Sequence, residues 1–314
     1  MPLNMAWRRL GESPWRRLRE SPWRRLRESP WLFAGPAVAA AVLFVWLPMA
    51  ATFGLSFFDW SLLRQEATWR GLDHYRGTLA NPDFHLALAN TGLYLLALLP
   101  LQVGVPLALA FALIRIAAKA AGRLYRTALF APSVLSFPVA AVVWLWLFNP
   151  TVGFLNTLTG AVGLPPQRWL SDPDLALWSV VAVTFWKSFG LNLLIFLAAL
   201  ANVPGDVVEA ARIDGAGPWR RALDIELPLI SPALFFAVVT TFIVVLDEIV
   251  GAVDVLTEGG PYRTSSNLLY FLYERGFRRF QFGEAAAVAV LIAAIIAGVT
   301  WAQFHFGERR VHYD

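Results

Sequence analysis

Lys187 stands in the middle of a long apolar stretch, residues 175–200. A charge at that depth in a membrane-spanning helix is costly, so it marks either a pathway or an ion pair. Two acids suited to such a pair, Asp247 and Glu248, stand toward the outer end of the next apolar stretch, which carries Thr240 and Thr241 near mid-depth. Asn192 follows Lys187 by five residues, about 140° around an ideal helix, so the two do not share one narrow face. Asn and Thr in membrane helices commonly bond a neighbouring helix rather than a ligand. For Lys187, an ion pair and a solute contact are both open. The adjacent acids point about 100° apart on a helix, which makes Asp247 and Glu248 a poor acid–base dyad.

Other chemistries are excluded by what is missing. There are no cysteines, so disulfides, thiol nucleophiles and thiolate metal sites are ruled out. The histidines, His74, His85, His305 and His312, show no metal-ligand spacing. The only lysines are Lys119 and Lys187, and neither follows a phosphate-cradling glycine run. The chain lacks the usual means to bind and split ATP, and no resident cofactor or metal is expected. The arginines cluster beside apolar segments, which argues against nucleic acid as a partner.

Between two long apolar segments lies EAARIDGAGPWRRALDIELP, Glu209 to Pro228. Pro204-Gly205 ends what precedes it. Asp206 is placed to cap a helix, with Glu209 three positions on able to reach back in a capping box. Ala210 and Ala211 leave a side-chain-poor face for close packing. Gly215 suits the left-handed position that stops a helix, and Gly217-Pro218 restarts one with proline at the first helical position. The expectation is two short helices joined by a sharp bend and held at a membrane surface.

The elements that must position these residues are membrane spans. The chain of 314 residues is 57% hydrophobic and 15% charged, against about a quarter charged in soluble domains. Six apolar segments each approach the ~20 residues needed to cross the hydrocarbon core: 31–55, 87–114, 127–148, 175–200, 229–250 and 284–304. Pro48, Pro100, Pro106, Pro132 and Pro138 predict kinks, with tilt or a bend near Pro100 and Pro106. The N-terminal tail, the loop bearing Arg115, Lys119, Arg123 and Arg126, and the tail with Arg309 and Arg310 are basic. With six spans they share one side, which the positive-inside rule makes the cytoplasm. The 209–228 loop falls on that side, and both termini are expected there.

Residues 1–30 repeat an octad, WRRLGESP then WRRLRESP twice, ahead of Trp31. A proline every eight residues prevents a continuous helix. The basic, tryptophan-rich composition suits the headgroups of an anionic leaflet, and a low-complexity expansion of a basic tail fits equally. A cleaved signal peptide is not expected, because the following apolar segment is long and lacks a small-residue cleavage site.

The EAA, IDGAG and I-x-LP elements of the 209–228 loop resemble the cytoplasmic loop of membrane subunits of binding-protein-dependent ABC importers. Three further stretches resemble the carbohydrate-uptake permeases of that family. Residues 69–91 follow a GL-x-N-Y pattern, with His74 at the usual Asn, and run through to Asn90-Thr91. Residues 149–164 place Gly153 and Asn156 as expected. Residues 257–283 match LT-x-GGP with its downstream Tyr, Phe and Gly, a loop typical of the first permease of a pair. The resemblance covers residues 31–306, with the octad tail 1–30 and a short tail 307–314 outside it.

The resemblance implies an all-α, polytopic membrane protein of six transmembrane helices, with a cytoplasmic coupling helix between the fourth and fifth (loop 205–228). It implies a cell-membrane location in a prokaryote and a role as permease subunit of an ATP-driven importer of a sugar or oligosaccharide. The implied partners are a second permease, two cytoplasmic ATPase subunits that use ATP and Mg, and an extracytoplasmic solute-binding protein, besides the membrane lipids. Glu209, Ala210, Ala211, Asp214, Gly215 and Ala216 would couple to the ATPase. Trp186, Lys187, Asn192, Thr241, Asp247 and Glu248 would lie along the substrate path, the two acids alternatively forming an outer gate or binding-protein contact. Glycerol-3-phosphate importers share the LTEGGP and W-K-x-x-x-x-N patterns, so a polyol phosphate is the alternative cargo. A secondary carrier without ATPase partners is the alternative class, opposed by the 209–228 loop and by the lack of an inverted repeat.

Overall fold

Prolines and small polar residues decide where the apolar stretches start, break and stop. The computed structural model describes residues 30–60, 67–116 and 120–307; the octad tail, Lys119 and the C-terminal arginines lie outside the described residues. The chain divides after Leu55 into two units. In the first, α1 (Pro30–Ala41) passes through a π-helical turn at Val42–Trp46 into α2 (Leu47–Leu55). Its run Ala34–Leu55 is long and apolar enough to cross a membrane, in keeping with the expected first span.

The second unit opens on a small antiparallel hairpin that the all-α expectation left out. β1 (Phe58–Trp60) pairs with β2 (Ala67–Trp69), Asp59 opposite Thr68. Aromatics hold it: Trp69 lies 5.1 Å edge-on from Phe58 and 5.7 Å stacked on Phe57. The short helix α3 (Asp73–Leu79) follows. Asn81, in an extended conformation, then caps α4 (Pro82–Leu113): its side chain accepts the Asp83 amide at 2.9 Å, and Pro82 takes the first helical position. This second span begins at Pro82 rather than at 87 and runs on as one helix over Pro100 and Pro106.

The third span departs most from expectation. Instead of one helix over 127–148 there are two, α5 (Ala120–Val134) and α6 (Phe137–Leu147), bent 98° from one another. Ser136 is extended (φ −66°, ψ 146°), and Pro138 has no N–H for the carbonyl of Val134, so the helical ladder cannot cross. Beyond α6, the helix α7 (Phe154–Ala161) packs in a loop organised by Asn156. The Asn156 amide nitrogen donates to the carbonyls of Pro150 and Gln167, while its oxygen accepts Gln167 N and Trp169 Nε1. Gly153 is required beside it, since a Cβ there would lie 2.3 Å from the Asn149 oxygen.

The fourth span, α8 (Ala176–Ala201), matches its expected bounds within a residue and packs against α4 and α5. Gly190 sets the approach to α5: a Cβ would sit 2.8 Å from both Leu129 O and Ser133 Oγ. Two short helices, α9 (Gly205–Ile213) and α10 (Pro218–Arg221), lead through a π-helical turn at Ala222–Glu226 and a single turn, α11 (Leu227–Leu229), into the fifth span, α12 (Ser231–Leu256). α12 runs six residues past the expected end at 250. Asp247 and Glu248 therefore sit about 9 Å further from its end than the sequence placed them. After α13 (Leu268–Tyr273) and a π-helical turn at Glu274–Arg278, the last span is α14 (Phe282–Gly307).

Five helices can cross a membrane among the described residues, six with the bent pair counted as one. One core cluster joins Tyr94 and Leu98 of α4, Val180 and Val183 of α8, and Val245, Ile249 and Val253 of α12. A second joins Ala110, Leu193, Phe196 and Ala237. In lipid, apolar side chains gain little by leaving the hydrocarbon, so close packing and interhelical hydrogen bonds hold such a bundle.

Candidate functional site

Three polar side-chain contacts tie α8 to α12. Asn192 Nδ2 donates to Thr241 Oγ1 and to the Gln102 carbonyl of α4, each at 2.7 Å. Lys187 Nζ meets Glu248 Oε1 at 2.7 Å, with the two side chains 12% and 17% exposed. Ser188 Oγ donates to the second oxygen of the same carboxylate. Thr241 and Glu248 lie seven residues apart, two turns along one side of α12. Both pairings therefore join the same two helices, although Lys187 and Asn192 are five residues apart. The long lysine chain spans the angular difference.

The break in the third span sits beside this pair. Ser133 Oγ, on the penultimate residue of α5, donates to the Lys187 carbonyl at 2.8 Å. Phe137, at the start of α6, lies with its ring centroid 5.9 Å from Lys187 Nζ, and a Cβ added at Gly251 would come within 3.7 Å of the same ring. Trp186 is half-buried and meets Trp144 of α6 edge-on at 5.5 Å. The site thus gathers a neutralised cation, an aromatic wall and a helix break.

Asp247 does not join the cluster. It is exposed on α12, beside the exposed Ile243, and has no hydrogen-bond or ion-pair partner among the described residues. Adjacent residues facing different surroundings is what a 100° turn per residue requires. Ser188, Phe137, Ser133 and Gln102 are site neighbours that sequence reasoning missed. The position of Ser188 next to Lys187 was the one local hint.

The 209–228 segment forms the two helices and the bend, with a different start. The helix begins at Gly205 with Pro204 as its cap residue (φ −58°, ψ 127°) and no side-chain cap, so the capping box between Asp206 and Glu209 is not made. Proline's fixed φ already turns the chain, and Asp206 sits within the first turn, where its negative charge complements the positive end of the helix dipole. The C-terminal end follows expectation. Gly215 takes φ +77°. Its N–H donates to the Arg212 carbonyl and that of Ala216 to the Ala211 carbonyl, the paired closure of a Schellman motif. Pro218 opens α10 behind Gly217.

The alanine face divides: Ala211 is buried within the chain, whereas Glu209, Ala210, Asp214 and Gly215 are exposed and Ala216 is half-buried. Two large apolar side chains missed at the sequence level stand out on either side of the bend, Ile213 at 86% and Trp219 at 81% exposure.

At the far end of α12, the 257–268 loop is pinned to α4. Asn90 Nδ2 donates to the carbonyls of Arg263 and Ser266, and Tyr94 Oη to that of Ser265. Thr91 Oγ1 accepts the Leu268 amide. Gly259 holds φ +76°, and a Cβ there would lie 2.8 Å from the Tyr270 ring. Beyond it, burial disfavours the Glu274 carboxylate, but hydrogen bonds from Arg263 and Arg279 outweigh this and lower its pKa to about 2. Burial pushes the Tyr270 hydroxyl up to about 12, against the nearby Arg278 guanidinium.

The family model described as binding-protein-dependent transport system inner membrane component matches residues 103–312. The sn-glycerol-3-phosphate transport system permease protein UgpA of Pectobacterium atrosepticum is 38% identical over 194 residues, which span 62% of this chain and 65% of that protein. The probable ABC transporter permease protein YurN of Bacillus subtilis is 33% identical over 277 residues, 88% of this chain and 94% of that one. Among solved structures, a bacterial ABC transporter involved in import of the acidic polysaccharide alginate superposes with a TM-score of 0.80. It is 21% identical and covers 91% of this chain and 98% of its own, a likeness of fold. With the family model running from the second half of α4 through α14, and YurN matched over most of both chains, the chain belongs to the family of binding-protein-dependent transport system inner membrane components.

Proposed function

We propose that this chain is the permease subunit of an ATP-driven importer, and that residues 31–306 form one transmembrane domain lining the path of a sugar or oligosaccharide. The observation that carries this reading is the bend at Gly215, which sets Ile213 and Trp219 outward on a connection between two spans. Glu209, Ala210, Ala211, Asp214, Gly215 and Ala216 form the coupling segment against a cytoplasmic ATPase subunit. Large exposed apolar side chains in a polar segment suit insertion into a groove of a partner. ATP and Mg act in that partner. A second permease and an extracytoplasmic solute-binding protein complete the assembly, with both termini of this chain cytoplasmic.

Trp186, Lys187, Asn192, Thr241, Asp247 and Glu248 mark the path on this reading. Asn192 and Thr241 are engaged with each other and serve its wall, whereas Asp247 is free to meet polar solute or the second permease. Solute docked from outside and ATP bound inside each favour the same state of the bundle, and that shared preference is the coupling. The sequence similarity to permeases named for sn-glycerol-3-phosphate supports a polyol phosphate as the second reading of the cargo.

The test is solute-stimulated ATP hydrolysis in proteoliposomes holding the chain with its co-purified partners, comparing wild type with Gly215→Val and Ala210→Arg. Stimulation that collapses in the variants while the complex still inserts supports the reading. Flux that follows an ion gradient with no ATPase present sinks it.

A further inference from the structure

We infer that Glu248 is a specificity-determining residue: by neutralising Lys187 beside the break in the third span, it sets the charge of solute the path accepts. The inference rests on the reading of this chain as a permease.

Lys187 is a cation in an apolar helix, and 12% of its side chain is exposed. Left alone there, it would recruit an anion, because an uncompensated charge in a poorly solvated place is strongly disfavoured. Glu248 fills that role in the resting chain, at 2.7 Å. Three contacts hold the arrangement in place. Ser188 donates to the free oxygen of the carboxylate, Ser133 fixes the Lys187 backbone, and the Phe137 ring covers the ammonium. Both oxygens of Glu248 are engaged and Lys187 is answered, so the cluster is neutral as a unit.

A carboxylate so held is an internal competitor for any anionic solute. A phosphorylated or uronate-bearing solute must displace Glu248 from Lys187 before it can use the cation, whereas a neutral polyol meets no such competitor. Removing only the acid leaves the cation without its partner and turns the same place into an anion site. Asp247 does not take over, since it turns to a different face of α12 and stands exposed.

The experiment measures solute-stimulated ATP hydrolysis in proteoliposomes of the whole complex with matched pairs, glycerol against sn-glycerol-3-phosphate and glucose against glucose 6-phosphate. Wild type is compared with Glu248→Gln, Lys187→Gln and the double variant. The expected result is that Glu248→Gln raises the ratio of phosphorylated to neutral stimulation about tenfold. The double variant, which strands no charge and so keeps the fold secure, should return the ratio to within about twofold of wild type. A ratio unchanged in Glu248→Gln, or loss of both solutes in proportion, makes the pair a strut between helices and overturns the inference. If no ATPase co-purifies and flux follows an ion gradient, the permease reading fails first and the inference falls with it, an outcome distinct from a failure confined to the variants.

Discussion

Asn192 donates to Thr241 across the α8–α12 interface at 2.7 Å, and the same amide group reaches the Gln102 carbonyl of α4. One side chain thus links three spans at a single depth. Replacing it with Leu should lower the midpoint of thermal unfolding in detergent, by the equivalent of about 1–2 kcal/mol for the lost interhelical bonds. Thr241→Val should reproduce only part of that loss, because the bond to Gln102 survives. Equal losses in the two variants would contradict the three-way link.

Gly190 has no room for a side chain where α8 crosses α5. Gly190→Val should separate the helices and prevent accumulation of folded protein, with a cost of several kcal/mol by overpacking. Gly104, in α4, would meet nothing with an added Cβ, so Gly104→Ala should leave expression and unfolding unchanged or slightly improved. Size-exclusion profiles of the two variants give the comparison.

The left-handed Gly215 makes a graded prediction. Asn tolerates positive φ far better than a β-branched residue does. Gly215→Asn should therefore keep most of the ATPase coupling that Gly215→Val loses. Equal coupling in the two would mean that the backbone at this bend is not what transmits.

Glu274 gives a pH window with a defined sign. Its carboxylate is held down to about 2 by Arg263 and Arg279 despite burial, against an ordinary value of 4.5. A lowered folded-state pKa contributes stability that is present above the unfolded value and is lost as pH falls through the folded one. Protease resistance of the 257–283 segment should therefore decline between about pH 4.5 and 2 in wild type. In Glu274→Gln that decline should be smaller, from a lower starting resistance. A decline of the same size in both would remove this group as its source.

Tyr94→Phe deletes only the hydroxyl that reaches the Ser265 carbonyl at 2.9 Å. It should cost about 1 kcal/mol. Asn90→Leu, which strands two carbonyls of the same loop, should cost more. Hydrogen exchange of residues 257–268 would show the order.

The spans were legible because a stretch of ~20 apolar residues has few alternatives in a chain of this composition. α8 was placed within a residue at each end. The third span was not, because Pro138 reads equally as a tolerated kink or as a break, and the choice depends on what α6 packs against. The hairpin was missed because β1 and β2 are three residues each, too short for alternation to register. In the 209–228 segment, Gly215 and Pro218 could be read because each has a single local geometry to offer. Asp206 could not, because Pro204 had already set the turn. For Lys187 the choice of Asp247 or Glu248 rested on the rotation of α12, a fact of packing. The gripping pattern of Asn90, Thr91 and Tyr94 joins residues more than 170 positions apart, and no local signal carries that.

α12 has 26 residues, which makes it a strut about 39 Å long. One end follows the bend at Gly215, and the other enters a loop fastened to α4 at Asn90, Thr91 and Tyr94. A helix resists axial compression, so on the proposed coupling role a displacement at Ser231 would carry along α12 toward Thr257. From there it acts on α4, a neighbour that already touches α12 at Thr241 through Asn192. The α12 strut is thus connected to α4 at two heights, through Asn192 at Thr241 and through the 257–268 loop. Together with the Asn192 bond, the fastening of the 257–268 loop thereby ties the two neighbouring spans together at both places.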